Sequence, residues 1–514
     1  MSPSHYPFLS VIILWPIFGA IASSLVSDIK RSKYIALGTA IIECILTLMA
    51  LSLFNSAEGN TYQLMEHYAW IPRLNINYAL GVDGISILFL PMTALLTLSA
   101  IIASWNSVQQ LHRQHFALLL VLAGTTIGVF AAIDTMLFFL FWELTLPPFF
   151  FLMGLWGIGP KRRSAAMKYT LFMLFGGVPL LFGILLLAMN HATAVNGPLP
   201  EALCFDLIKL LETPLADHLQ LLVFSLFLLG FSAKAPLVPF HTWLPTATME
   251  GPTQVTALLI GLKLGLYGIL RLALPLAPEA AVQYSWALGI LGAITLVYTG
   301  LIATQQTNLR RLLAYASISH VGLVLIGIAS LTPQGLQGAL FQLFNFTLIA
   351  SSLMLIAGFI QHRLGSTEAL HLGGLANTMP KLTCFYFLFM FASIALPGTS
   401  GFPAELLLIF GALNAHHSLG ITALAGAVIS ATYMLTFTRR AFLGPITRTA
   451  IHQLHDLRPR EIGLLSIPAL LIIVLGFAPS VLLKVNETAI DAWLTHILEP
   501  AKVDRDEIAQ LNKP

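Results

Sequence analysis

Apolar residues in this chain gather into blocks of about twenty, with most charged residues in the gaps, and a block of that length crosses a ~30 Å hydrocarbon core as a helix. The blocks lie near residues 8–26, 34–53, 85–105, 116–132, 135–156, 169–189 and 221–240. Others follow near 255–272, 284–303, 312–330, 336–360, 382–413, 420–437 and 462–483. They predict an all-α polytopic membrane protein with about 14 transmembrane helices. A single membrane domain over residues 1–514 accommodates them all.

Charge placement supports that pattern. No basic region precedes the first block, and Lys30, Arg31 and Lys33 follow it. The first block is therefore expected to be an uncleaved helix with its N-terminus outside. Counting onward, the inner loops collect basic clusters at 161–168, 310–311, 439–440 and 458–460. The outer side keeps Arg73, Lys209, Arg271 and a few residues of the tail, as the positive-inside rule expects. Both termini should face outside. The linker 443–461 reads as an ordinary connection, with His452 and His455 available to a partner.

Composition narrows the class further. Of 514 residues, 57% are hydrophobic and 10% charged, with mean hydropathy +0.83, far outside soluble practice. The net charge of +3 is no nucleic-acid signature. Cys44, Cys204 and Cys384 are scattered without ligand spacing, so neither a disulfide framework nor a metal cluster is supported.

One block interrupts itself. Residues 228–245 read LLGFSAKAPLVPFHTWLP, which places Lys234 just ahead of Pro236 and Pro239. A charge inside a bilayer is costly unless paired or hydrated, and prolines there free carbonyls that need new partners. Discontinuous helices are where transporters place ion sites. A snorkelling lysine is the plain alternative, but the polar exit residues His241 and Trp243 lie too far along for that.

Other titratable residues inside the blocks are few. Glu143 sits about 12 Å into its block at 1.5 Å per residue, ahead of Pro147 and Pro148. Lys263 lies about 16 Å beyond Pro252, near the midplane. His320 follows Ser317 and Ser319, and alone it would read as a core histidine. Glu405 follows Pro397-Gly398, a second break deep in an apolar run. Together with Glu143, Lys234, Lys263 and Glu405, His320 reads as a relay member. Asp134 and Glu43 read as structural. The two breaks sit at matching places in two five-helix units, 116–272 and 284–437, and an odd number of helices per unit inverts the second copy.

The motifs GVDGIS (81–86), FWELTLPP (141–148), AKAPLVPFHTWLP (233–245), RRLLAYASISHVG (310–322) and LPGTSGFPAE (396–405) carry a resemblance. They are similar to the antiporter-like membrane subunits of respiratory complex I, the proton-pumping NADH:quinone oxidoreductase. Glutamate rather than lysine on the second broken helix resembles chain M (subunit 4) and departs from chains L and N. The resemblance implies Glu143 and Lys234 as a coupled ion pair in a first half-channel. It implies Lys263 as the connecting lysine, His320 as a relay histidine and Glu405 as the exchanging group of a second half-channel. One departure is Phe346, in QLFNFT, where family members often carry a histidine.

The expected function is proton translocation as a membrane-arm subunit of such a complex. The chain shows no redox centre of its own: no cysteine cluster, dinucleotide-binding glycine fingerprint or haem ligand pattern. The resemblance places NADH, FMN, Fe–S clusters and quinone in partner subunits, with chain L-like and chain N-like neighbours in the bilayer. It also implies a multi-pass protein of the cell inner membrane. Two alternatives share some of these features. One is a homologous subunit of a sodium/proton antiporter, a membrane-bound hydrogenase or an inorganic-carbon uptake complex. The other is a stand-alone secondary transporter, which would need a roomy substrate site.

Overall fold

The structure, a computed structural model, describes residues 7–108, 110–446, 451 and 454–511, with side chains to residue 499. His452 lies outside the described residues, and His455 is engaged through its carbonyl, which accepts from Arg363 Nε at 3.0 Å. Among the described residues, eleven helical spans are long and apolar enough to cross a membrane. The expected count of about 14 is not reached by that measure. Helix Phe89–Ser104 is short, and two other expected segments are broken. One runs Asp217–Lys234 and resumes as Trp243–Glu250; the other runs Pro380–Ser393 and resumes as Gly401–Ala415.

Polar residues start several helices by accepting from the free amides of the first turn. Asp134 accepts from the amides of Met136 and Leu137 at 2.9 and 3.0 Å, and from Asn77 N at 3.0 Å. Its structural reading therefore holds. Asn308 does the same for Leu309–Ala329 through the Arg310 amide at 3.0 Å. Helices Ser285–Thr304 and Leu309–Ala329 meet backbone to backbone: a Cβ on Gly322 would stand 2.5 Å from the Gly292 carbonyl. Small residues of this kind let membrane helices gain dispersion contacts where no hydrophobic force acts between them.

One feature departs from an all-α reading: strands β1 (Gln63–Ile71) and β2 (Ile76–Val82) form an antiparallel hairpin with Tyr68 opposite Tyr78. From that hairpin Glu66 accepts from the amides of Leu9 and Ser10 at 2.6 and 3.1 Å. It caps helix Phe8–Leu25, whose own N-cap residue supplies no side-chain bond, and places a carboxylate at the favourable end of the helix dipole. Asp83 of the GVDGIS motif accepts from Ser86 N at 3.0 Å and pairs with buried Arg271 at 2.6 Å. Arg271 is thus an internal tie and not a loop charge.

The described chain ends in a 32-residue helix, Ser480–Leu511. It is held by Trp493 Nε1 on the Leu270 carbonyl at 2.9 Å and Thr488 Oγ1 on the Ser56 carbonyl at 3.1 Å. Arg310 is buried, and its Nη2 donates to the Gly251 carbonyl at 2.6 Å. That bond joins the base of the first broken segment to the helix carrying His320.

Candidate functional site

The first break is wired by side chains. Pro236 has no amide for the Ser232 carbonyl, which accepts instead from Leu237 N at 3.1 Å. That leaves the Ala233 carbonyl free, and the Trp243 indole donates to it at 2.9 Å. Val238 N turns to Thr295 Oγ1 at 3.3 Å. A membrane helix can be interrupted only where its freed groups find such partners. Lys234 is the last residue of its helix segment, at the point where the backbone opens.

Lys234 Nζ donates to Thr145 Oγ1 at 2.8 Å and to the Trp142 carbonyl at 3.1 Å, and it lies 3.9 Å over the Trp142 ring. Pro147 and Pro148 end helix Thr135–Leu144 here, with Thr145 at the junction. Glu143, the expected partner, lies against Gly177, where a Cβ would meet its Oε1 at 2.4 Å. No Lys234 nitrogen and Glu143 oxygen come within the 4.0 Å of an ion pair. The pair is open in this structure, and the lysine has a neutral resting place that the sequence did not suggest.

Lys263 corrects a second expectation, since its helix is not continuous. Thr253–Gly261 stops, Leu262 is extended, and Leu264–Gly268 resumes with Lys263 at its N-cap. Thr347 Oγ1 donates to the Gly261 carbonyl freed there, at 3.4 Å. Gly265 allows the resumed segment to press on the first break: a Cβ would stand 2.3 Å from Ala235 N. The residues that follow Lys234 and Lys263 are therefore in contact. Lys263 Nζ donates to Ser317 Oγ at 2.6 Å and lies 4.9 Å over the Phe346 ring.

Ser317 and His320 share one face of helix Leu309–Ala329, three residues apart. His320 Nδ1 stands 3.5 Å from Glu405 Oε1 and 3.4 Å from Gln342 Nε2, and Nε2 stands 3.5 Å from the Tyr433 hydroxyl. All three are buried with it, and Glu405 Oε2 has no partner among the described residues. The second break is wired like the first. The Ser400 carbonyl accepts from Asn345 Nδ2 at 3.1 Å, and the Ser393 carbonyl accepts from Ser430 Oγ at 3.4 Å. Glu405 follows that break on Gly401–Ala415.

A cavity of about 30 Å³ lies among Ser317, His320, Gln342, Asn345, Phe346 and Ser393. A water needs roughly 10–15 Å³ of such space and two to four polar partners, so the gap has room for one or two, with Ser317, His320, Gln342, Asn345 and Ser393 as the polar residues of a largely apolar lining. It runs beside the Phe346 ring, which sits in a π-helical turn, Phe346–Ala350. At the end of the molecule that carries the basic loops, an open vestibule of about 540 Å³ is lined by Lys168, Thr242, Thr246, Glu250 and Arg311 and reaches the base of the first break.

Of the five expected residues, Lys263, His320 and Glu405 are linked through Ser317 and the cavity, and Glu143 and Lys234 lie on the other side of the Ala235–Gly265 contact. Thr145, Gln342 and Tyr433 were not singled out from the sequence. Thr145 stands inside the FWELTLPP motif, and Tyr433 is a hydroxyl inside an apolar block; those were the available signals. Glu43 is buried like Asp134 but differs from it in that neither carboxylate oxygen has a partner among the described residues.

The family described as NADH:quinone oxidoreductase/Mrp antiporter, TM, matches residues 132–430, more than half of the chain. NADH-quinone oxidoreductase subunit M of Rickettsia prowazekii (strain Madrid E) is 35% identical over 499 residues, covering 95% of this chain and 99% of its own. NAD(P)H-quinone oxidoreductase chain 4 of Acaryochloris marina (strain MBIC 11017) is 36% identical over 513 residues, covering 97% and 94%. Among solved structures, a chain of respiratory complex I from Thermus thermophilus with bound NADH matches with a TM-score of 0.86 at 28% identity, over 95% of this chain and 99% of that one. Likeness that runs through both broken helices, at this identity and coverage, means that the chain belongs to the NADH:quinone oxidoreductase/Mrp antiporter membrane-subunit family, on its subunit M branch.

Proposed function

We propose that this chain translocates protons as a membrane-arm subunit of NADH:quinone oxidoreductase, along Glu143, Lys234, Lys263, His320 and Glu405. The observation that carries the path is the buried series Lys263–Ser317–His320–Glu405, with a water-sized cavity beside it and a broken helix at each end. In the proposed sequence, a proton enters from the inner vestibule and reaches Lys234, whose affinity depends on whether it faces Glu143 or Thr145. It passes to Lys263 across the contact between the two breaks, then by way of Ser317 and water to His320 and Glu405. Units 116–272 and 284–437 act as inverted repeats, each supplying one half-channel.

In this reading the chain holds no redox centre. The three cysteines are free and apart, and among the described residues no group of three or more His, Cys, Asp or Glu could hold a metal ion. NADH, FMN, Fe–S clusters and quinone then belong to partner subunits, and chain L-like and chain N-like subunits flank this one in the cell inner membrane. A stand-alone metabolite transporter is disfavoured because the buried polar groups between the two breaks are few and titratable and enclose a cavity of about 30 Å³, the larger vestibule lying open at the surface.

Glu405→Gln tests the path. The amide keeps the shape and hydrogen bonding but cannot exchange a proton, so proton pumping by the complex in proteoliposomes should fall about tenfold or more, in the range of a lost acid–base group. Assembly should be unchanged. Normal pumping by the assembled variant would remove Glu405 from the path.

A further inference from the structure

The side of the molecule away from the relay carries a two-part groove that the proton path does not use. Its apolar part, about 400 Å³, is walled by three helices: Ile29–Leu53, Phe89–Ser104 and Pro459–Phe477. Leu37, Ile41, Leu95, Leu98, Leu464 and Ile467 line it, and Ile41 and Ile467 remain exposed on its rim. That volume lies in the range of small-molecule sites, roughly 300–1,000 Å³. The groove exists because Gly463 faces it: no atom lies within 4 Å of where its Cβ would stand.

At one end the groove becomes polar. Tyr34 and Trp105 meet edge to face at 5.3 Å, an aromatic pair of the kind that marks the interface between lipid and water. Lys33 Nζ is held there by the Trp105 carbonyl at 2.7 Å. Arg460 lines both the apolar groove and an adjoining polar recess of about 60 Å³, which also includes Asn106, Ser107 and His362. The nearest carboxylate, Glu461, is taken by Arg363 and by the Arg458 amide. Among the described residues, neither Lys33 nor Arg460 has a carboxylate oxygen within 4.0 Å. Trp105, which holds Lys33, lines the same groove as Arg460, so both half-buried cations stand at this end of it, and they call for an anion. This is the basic end of all three helices, the end that the positive-inside rule turns toward the cytoplasm, where basic pockets between helices take anionic headgroups.

We propose that this groove is a binding site for one anionic phospholipid. An acyl chain fills the apolar part, the phosphate lies between Lys33 and Arg460, and a hydroxyl-bearing headgroup enters the polar recess. The chemistry specifies both halves, since a free phosphate would leave the apolar groove empty and a zwitterionic lipid would bring a cationic headgroup of its own into a recess already lined by Arg363 and Arg460.

The test uses the whole complex, reconstituted in phosphatidylcholine nanodiscs doped with phosphatidylglycerol that carries a photoreactive acyl chain. Labelling is expected on the walls around Ile41 and Ile467, competed by unlabelled phosphatidylglycerol and not by added phosphatidylcholine. Replacing both cations (Lys33→Gln with Arg460→Gln) should lower labelling about tenfold or more, from the loss of two surface-type charges, with quinone reductase activity retained. Gly463→Trp should block labelling with the charges intact. If these variants fail to assemble, the comparison of the two headgroups on the unaltered chain decides alone. Equal labelling by a photoreactive phosphatidylcholine would reduce the groove to ordinary lipid contact and overturn the proposal. Cross-linking of Ile41 to a helix of a neighbouring subunit would overturn it as well.

Discussion

Removing a single hydroxyl, by Thr145→Val, tests whether Lys234 has two resting positions. The ammonium is held by Thr145 Oγ1 at 2.8 Å, by the Trp142 carbonyl at 3.1 Å and by the Trp142 ring at 3.9 Å, and it is not paired with Glu143. Valine keeps the shape of threonine and deletes the hydroxyl, which accepts from Lys234 and itself donates to the Trp142 carbonyl at 2.8 Å. A hydrogen bond to a charged group contributes about 1.5–3 kcal/mol. At about 1.4 kcal/mol per factor of ten, its loss shifts the balance toward the Glu143-paired position by about ten- to a hundredfold. The carbonyl and the ring remain, so the open position is weakened and not abolished. A lysine that stays paired with Glu143 holds its proton, and the transfer toward Lys263 slows. The complex carrying Thr145→Val should assemble normally and pump at about a tenth of the normal rate or less, read by a pH-sensitive dye in proteoliposomes beside the NADH:quinone reductase rate. Thr145→Ser restores the hydroxyl and should restore pumping. Normal pumping by the valine variant would show that the hydroxyl does not hold the lysine, and the two-position reading would fall.

Glu143→Ala and Lys234→Ala should each abolish pumping, and the double variant should be no worse than either, because the two act as a unit; clearly additive losses would separate them. Ser317→Ala removes the hydroxyl that Lys263 meets at 2.6 Å. It should slow pumping several-fold without loss of assembly, and an unchanged rate would mean that Lys263 hands its proton on by another route. For topology, a cysteine at exposed Glu58 should react with an impermeant maleimide in intact cells, and one at exposed Lys161 should not, with Cys44, Cys204 and Cys384 replaced by serine. Reaction at both positions, or at neither, would break the inside–outside alternation.

Much of the candidate site was legible in the sequence because its signals are local. A run of apolar residues reports a membrane helix by length alone, and a titratable residue in such a run is costly wherever the chain folds. The breaks at Pro236 and Pro397 could be read for the same reason: proline removes an amide in any context. The break at Lys263 could not. Its flanks, Gly261 and Gly265, are tolerated inside many helices, and what opens the backbone there is Thr347, Ser317 and Phe346 meeting it from two other helices.

The same division holds for partners. Glu143 and Lys234 are opposite charges, so the sequence alone suggests a pair; only the packing of the kink at Thr145 against the first break offers the lysine a second place to rest. Glu66 sits outside the apolar blocks with no signal of its own, and Asp83 was marked only by the GVDGIS motif with no partner indicated, yet one caps helix Phe8–Leu25 and the other fixes Arg271. The hairpin and the helix Ser480–Leu511 were unread because they lie largely outside the apolar blocks, where no rule of membrane length applies. Apolar periodicity and proline chemistry act along the chain, and the sequence determines them residue by residue. Which hydroxyl, carbonyl or ring a buried charge meets depends on residues tens to hundreds of positions away, and only tertiary packing brings those within hydrogen-bond reach.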